Sequence, residues 1–357
     1  MSRKNLMNEI IPIIGLMLSL GPFSLSCAGD EAGEDGDTET ESSPDVDGDA
    51  DSDGDADSDG DSDTDTNTEV DTDTDAPTDT DSSQSTTLTF PIRAAFYYPW
   101  YPQTWSVDGK HVFYHPDLGY YSSDSEDVID RHIECMDYGK IDVAISSWWG
   151  SDSYTDTRLT LLLDRTIALD SNLKWAVYYE KEGFADHDTS VPALKSDLAY
   201  LEKHIVHEAF ALVDGKPVVF VYNANDGDCE VASRWAQANS SHKWYVVLKV
   251  FSGYRDCADQ PDAWHQYGPG TPAQEHSPHS YGISPGFWRA DQATPLLGRD
   301  EERWYQNVRD MAASGQRWHL ITTFNEWGEG TAIEPASEWK SESGFGVYLD
   351  ALHTDGN

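Results

Sequence analysis

Residues 128–179 read VIDRHIECMDYGKIDVAISSWWGSDSYTDTRLTLLLDRTIALDSNLKWAVYY. In Val128–Tyr138, Ile129, Ile133 and Met136 follow one another at steps of four and three, the spacing of one buried helical stripe. Asp142–Trp149 is then a mostly apolar run too short for a helix and reads as a strand buried on both faces. Leu159, Leu163 and Ile167 mark a second helix over Leu159–Leu169, and Lys174–Tyr179 a second strand. Helix, strand, helix, strand with short polar joints is the pattern of an α/β chain, because parallel strands need helical crossovers between them.

The alternation extends to both sides. Apolar and aromatic runs recur at Ala94–Trp100, Pro217–Tyr222, Trp244–Phe251, Ala263–Tyr267, Tyr281–Phe287 and Trp318–Phe324, which with the two above makes eight. Amphipathic stretches separate several of them, at Val191–Val206, Val231–Ala238 and Glu301–Ala313, whereas the segments after the fifth and sixth runs carry little helical signal. Eight strands with interleaved helices over residues 90–352 match the size of a (β/α)8, TIM-like barrel, and no shift in composition within that span marks a second domain. The alternative is an open doubly wound sheet, but no glycine-rich phosphate loop follows any strand.

The 357 residues are 38% hydrophobic, enough for a sizeable core, and carry a formal net charge of -42. A field of that sign repels phosphate backbones, which excludes nucleic-acid partners. Much of the charge lies in Asp30–Thr89, where 24 acidic residues occur without a Lys or Arg. The Asp-Ser, Asp-Gly, Asp-Ala and Asp-Thr units there hold hardly any apolar side chain, so residues 28–89 read as a disordered, self-repelling linker. Asp49–Gly54 and Asp55–Gly60 resemble the front half of a calcium loop, but Gly60 and Thr66 stand where its bidentate Glu belongs. Upstream, Arg3 and Lys4 precede the apolar Ile10–Leu20, too short to span a bilayer, and Ser24-Leu25-Ser26-Cys27 is similar to a bacterial lipobox. Residues 1–27 are therefore expected to be an export signal, with Cys27 lipid-modified and the protein anchored at the outer membrane or cell surface. Plain secretion is the alternative.

Residues that carry chemistry gather just after strand ends. They are Tyr97, Tyr98, Trp100 and Tyr101, then Trp148 and Trp149, Glu180 and Glu182, Tyr222 and Asn223, Tyr267, Trp288 and Arg289, and finally Asn325, Glu326, Trp327 and Glu329. In a barrel all of these fall on one rim. Flat sugar faces stack on Trp and Tyr while carboxylates and amides take the hydroxyls, so a cleft for an oligosaccharide or polysaccharide is expected. Its expected substrate contacts are Tyr98, Trp148, Trp149, Glu180, Tyr267, Trp288, Asn325 and Trp327. In Ile321-Thr322-Thr323-Phe324-Asn325-Glu326-Trp327-Gly328-Glu329-Gly330-Thr331 a β-rich run ends in two carboxylates three residues apart, with glycines that permit a tight turn. Such a turn aims Glu326 and Glu329 into one pocket, and glycosidic cleavage uses a pair of this kind. Mutual repulsion keeps one of them protonated to a higher pH; the raised value is assigned to Glu329, which has to donate first. A solvated acidic turn is the alternative reading.

Phe96-Tyr97-Tyr98-Pro99-Trp100-Tyr101, the run Ile141–Gly150, Ile283-Ser284-Pro285-Gly286-Phe287, and Asn325–Thr331 followed by Ile333-Glu334-Pro335 resemble, in order, blocks of glycoside hydrolase family 99 and its relatives. The resemblance implies a (β/α)8 fold and a metal-independent, cofactor-free, retaining endo-acting α-mannosidase or α-mannanase. It implies that Glu326 takes the proton of the sugar 2-hydroxyl, so that this oxygen displaces the leaving group and a 1,2-anhydro sugar forms. Glu329 would protonate the leaving oxygen and then activate the water that opens the ring. Glu180 falls where the family has a substrate-contacting glutamate. The endo-mannosidases usually carry His between the Trp and the second Glu, and here Gly328 stands there, which bears on the choice of substrate.

His276 and His279 are not assigned a metal, since Pro278 breaks the helix that would align them and no third ligand follows at a recognisable spacing. No G-x-S-x-G elbow supports acyl transfer. Cys135 reads as a buried thiol. Cys229 and Cys257 each follow a barrel strand on the same side, and in an oxidising compartment a disulfide between them is expected. The chain is expected to act as a monomer. Two functions compete with hydrolysis: a surface glycan-binding lipoprotein without catalysis, which would not need both glutamates, and a polysaccharide-biosynthesis protein, which export disfavours because nucleotide-sugar donors are cytoplasmic.

Overall fold

The computed structural model describes residues 87–225 and 227–357; the signal, Cys27 and nearly all of the acidic linker lie outside them. In chain order the elements are β1 (Ile92–Tyr97), β2 (Ser106–Val107), β3 (Lys110–His111), α1 (Glu126–Tyr138), β4 (Val143–Trp148), α2 (Tyr154–Ala168), β5 (Lys174–Tyr179), α3 (Val191–Leu201), β6 (Leu212–Val213), β7 (Lys216–Val221), α4 (Cys229–Ala238), β8 (Tyr245–Lys249), β9 (Ala263–His265), β10 (Ala273–His276), β11 (Ser280–Ile283), α5 (Glu301–Ala313), β12 (Trp318–Ile321) and α6 (Val347–His353). Parallel ladders run β11-β12-β1-β4-β5-β7-β8-β9, so the first strand pairs with the last and all eight apolar runs supply barrel strands. The antiparallel β10 lies on β11 and the ladder between β9 and β11 is open, which leaves a nearly closed barrel. The two segments still approach closely, since a Cβ on Gly282 of β11 would sit 3.5 Å from the Gln266 carbonyl that follows β9.

Local signals explain most boundaries. Side chains of Ser153, Asp228 and Asp300 each accept a backbone N–H in the first turn of α2, α4 and α5. After β8 and β9, where helical signal is lacking, stand only a single 3₁₀ turn (Tyr254–Asp256) and the β10–β11 hairpin. α3 stops at Leu201 rather than at Val206, because the chain beyond it tightens into turns with His204 N bonding Leu201 O.

Every residue of β1 and β4 is buried. The barrel interior is filled largely by rings. Phe96, Phe220 and Trp318 fill the lower part, with Phe220 and Trp318 edge-on at 4.9 Å, and Tyr178 and Tyr267 stand above them, 4.8 and 5.3 Å from Phe96. His265 is wedged between these layers; burial drives its pKa down to about 3, so it is a neutral core residue bonded to the Val221 carbonyl. The upper, tyrosine layer forms the floor beneath the C-terminal ends of the strands.

Candidate active site

β12 ends at Ile321, and the next ten residues turn back on themselves. Thr323 N donates to Thr331 O at 3.1 Å, Thr331 N donates to Glu326 O at 3.2 Å, and Thr323 Oγ1 accepts from Glu326 N at 2.8 Å. The loop after β11 straps the outside, with Trp288 N on Glu329 O and Ala290 N on Gly328 O. Two glycines keep this turn tight, and at Gly330 the backbone requires one. Gly330 has φ +65° and a Cβ would meet the Trp288 carbonyl at 2.7 Å; at Gly328 a Cβ would lie 2.8 Å from Glu326 Oε1 and 3.0 Å from Val107 Cγ2. Both glutamates are thereby held in one pocket, 4% and 7% exposed, and Glu329 N donates back to Glu326 Oε1 at 3.2 Å.

Burial disfavours charge on both carboxyls, and each charge disfavours the other. Glu326 is raised well above the ordinary carboxyl range, by burial first and then by Glu329, and its Oε2 has no hydrogen-bond partner. Glu329 is raised as well, to about 7: burial is opposed by the Tyr267 hydroxyl, which donates to Oε2 at 2.8 Å, and by the positive charges of Arg289 and Lys249. Both carboxyls are therefore raised, so the rise is not confined to Glu329, which corrects the assignment of the raised value to that residue alone. A third carboxyl, Glu180 after β5, is 1% exposed and raised to about 8 by burial, with Ser147 and Lys249 opposing and Glu329 adding to the rise. Its Oε1 and the Tyr178 hydroxyl also lack partners. Three carboxyls, Tyr98, Tyr178, Tyr222 and Tyr267 thus act on one another electrostatically within one dry, hydroxyl-seeking pocket.

Not every expected contact faces it. Asn325 is fully buried and its amide is used on the Tyr98 backbone, accepting from Tyr98 N at 2.7 Å and donating to Tyr98 O at 3.2 Å; it ties β12 to β1 instead of meeting a sugar. Trp148 is fully buried with Nε1 on Asp156 Oδ1 at 2.8 Å, and Trp327 is 1% exposed with Nε1 on Glu334 Oε2 at 3.0 Å. Both rings belong to the shell between barrel and helices, which corrects their reading as stacking platforms. Trp149 and Trp288 are half-buried; Trp149 leans on Phe184 and Trp288 is stacked on Phe113 at 4.0 Å. Glu182, read at the same rim as Glu180, is paired with Arg234 and Trp235 and does not contribute.

Lys249, whose ammonium sits 4.3 Å over the Tyr222 ring and donates to Asn223 O, escapes sequence reasoning although it ends β8. Val107 and Phe113 escape it too, because the β2–β3 hairpin that carries Val107 and the segment just after it that carries Phe113 have no periodic signal. A disulfide joins Cys229 to Cys257, with Cα atoms 5.2 Å apart, and links the start of α4 to the loop after β8; Cys135 is a buried free thiol.

Residues 106–241 match the model of glycosyl hydrolase family 99, a span that includes Glu180 and stops short of Glu326 and Glu329. Two solved structures of the family 99 endo-alpha-mannosidase from Bacteroides thetaiotaomicron, one in complex with bis-tris-propane, share 21% identity over 75% of this chain and 96% of theirs, with TM-scores of 0.58 and 0.57. A solved glycoside hydrolase-like protein shares 17% identity over 77% of this chain and 95% of its own, at a TM-score of 0.53. No curated protein gives a significant match. Likeness at these identities shows a common barrel fold. Together with the match over residues 106–241 it shows that the chain resembles glycoside hydrolase family 99.

Proposed function

We propose that this protein is a retaining glycoside hydrolase that acts on α-linked, mannose-type glycans through a 1,2-anhydro sugar. The observation that carries the reading is the convergence of Glu326 and Glu329 in one buried pocket on a single glycine-dependent turn, with one proton to share between them. Glu326 would take the proton of the 2-hydroxyl while O2 attacks the anomeric carbon, and Glu329 would give its proton to the departing oxygen. Glu329 would then take a proton from water as that water attacks the same carbon, and O2 would recover its proton from Glu326. The reaction needs the shared proton on Glu329 and the charge on Glu326. A substrate 2-hydroxyl that donates to the unpartnered Glu326 Oε2 would favour the charge there.

Glu180 Oε1 and Tyr178 supply further unpartnered polar atoms for neighbouring hydroxyls, and half-buried Trp288 offers an aromatic edge to the cleft. The bis-tris-propane complex and endo-alpha-mannosidase activity belong to the Bacteroides protein and lend weight by analogy. Export, with Cys27 carrying a lipid, would put the enzyme where it meets polymeric glycans.

The test is hydrolysis of α-mannosides by the wild type and by Glu326→Gln and Glu329→Gln. Each change keeps the shape and should cost on the order of a thousandfold in turnover with binding retained. Two successive inversions should release the sugar with retained configuration. Undiminished turnover in both variants, or the inverted anomer appearing first by NMR, would defeat the proposal; binding without any turnover would favour the glycan-binding lipoprotein.

A further inference from the structure

We propose that Glu334 and His132 are positioning residues, which hold the turn bearing the two active-site glutamates in register with the barrel by gripping the indole of Trp327. The proposal deepens the reading above and rests on it for what the turn does, though not for the contacts themselves.

Glu334 follows the turn and is 1% exposed. Two donors from separate parts of the chain converge on its carboxyl, Trp327 Nε1 and the Tyr121 hydroxyl, which donate to Oε2 at 3.0 and 2.7 Å. His132 Nε2 stands 3.1 Å from Oε1, close enough for charge attraction but out of line for a hydrogen bond, so each of these two atoms lacks a hydrogen-bond partner. His132 lies on α1, fully buried, and its Nδ1 is 3.0 Å from the hydroxyl of Tyr97 at the end of β1. Burial first, and then the nearby Glu334 charge, hold the Tyr97 hydroxyl far above its ordinary value, so it remains a proton donor. That hydroxyl anchors the ring through Nδ1, so that Nε2 is turned to Glu334. A chain of polar contacts therefore runs from β1 through α1 and Glu334 to the indole of the residue between Glu326 and Glu329.

The backbone of the same residue is held from another side. Trp327 N donates to the Tyr101 hydroxyl at 3.1 Å, which itself donates to Asn325 O at 2.8 Å, and the indole is stacked on Trp339 at an interplanar angle of 10°. A buried carboxylate costs stability unless its partners are in place. Any shift of Trp327 would strip Glu334 of one of them, so the buried charge penalises displacement in a way that an apolar residue of the same size would not. The benefit is expected in the chemical step, since a misplacement of about 1 Å at reacting groups can cost on the order of a hundredfold.

Glu334→Ala should lower kcat about a hundredfold with KM within about threefold. It should also move the NMR signal of the Trp327 indole N–H and speed amide hydrogen exchange over residues 326–331. Glu334→Gln, which can still accept from Trp327 or Tyr121, should recover most of kcat. Should Glu334→Ala fail to fold, His132→Gln decides by the same readouts, with a loss of about tenfold in kcat expected. A folded Glu334→Ala, or in its place His132→Gln, with wild-type kcat and wild-type exchange over 326–331 would overturn the proposal. If the wild type cleaves no glycoside and Glu326→Gln changes nothing, the functional reading has failed by itself; the indole signal and the exchange rates then decide the positioning role alone.

Discussion

Replacing Glu180 by Gln should stabilise the protein, and by an amount that grows with pH. Its carboxyl is 1% exposed, and burial, with Glu329 adding to the effect, raises it from the ordinary 4.5 to about 8. In the unfolded chain the group ionises near 4.5. Between that value and 8 the native state keeps a proton that the unfolded state has released, so stability falls as pH rises through this window and the loss is complete above it. With those two values the cost is about 1 kcal/mol at pH 5, about 3 kcal/mol at pH 7 and about 5 kcal/mol at pH 9. Gln keeps the shape and does not titrate, so the variant escapes this loss. At roughly 2–4 °C per kcal/mol for a domain of this size, its melting temperature should exceed that of the wild type by about 6–12 °C at pH 7 and by less at pH 5. Turnover should fall in the same variant, because an acid that costs stability is retained where it meets substrate. Thermal unfolding of both proteins at pH 5, 7 and 9 is the assay. A gap that does not change with pH would refute the placement of this carboxyl in a dry pocket.

Tyr267→Phe removes the donor that favours the charged form of Glu329, so the carboxyl should rise further and the kcat/KM profile should move to higher pH; a profile that stays or moves down contradicts the assignment. Gly328→Ala puts a Cβ against Glu326 Oε1 and Val107 Cγ2 and should cost roughly tenfold or more in kcat, part of which a second change, Val107→Ala, should restore. Cys229→Ser with Cys257→Ser opens a loop with a sequence separation of 28, and loop entropy predicts a loss of about 3.5 kcal/mol, readable as a lower denaturation midpoint that the reduced wild type should match. Cys27→Ser should shift the protein from the membrane fraction to the soluble fraction and abolish fatty-acid labelling; a wild type that takes up no label would show that the chain carries no lipid there.

The barrel was legible because its signals are local. Apolar runs short enough for strands, alternating with stripes at steps of three and four, placed all eight strands, and the two helix-poor joints proved to be a 3₁₀ turn and a hairpin. Glu326 and Glu329 were legible for a related reason, since glycines beside two close carboxylates at a strand end leave few ways to turn. What an aromatic or amide at such an end faces is not a local matter. Trp148, Trp327 and Asn325 face inward because Asp156, Glu334 and the Tyr98 backbone claim their polar atoms, and two of these three partners lie on other elements. The electrostatics of Glu329 depend on still more distant residues. Tyr267, Arg289 and Lys249 come from three different loops or strand ends, and only the closing of the barrel brings them to Glu329, where one hydroxyl and two positive charges oppose the rise that burial imposes. Composition and spacing determine which side chains reach the rim; burial and the charges assembled there determine what each can do, because both depend on the distance between parts of the chain that the sequence keeps apart.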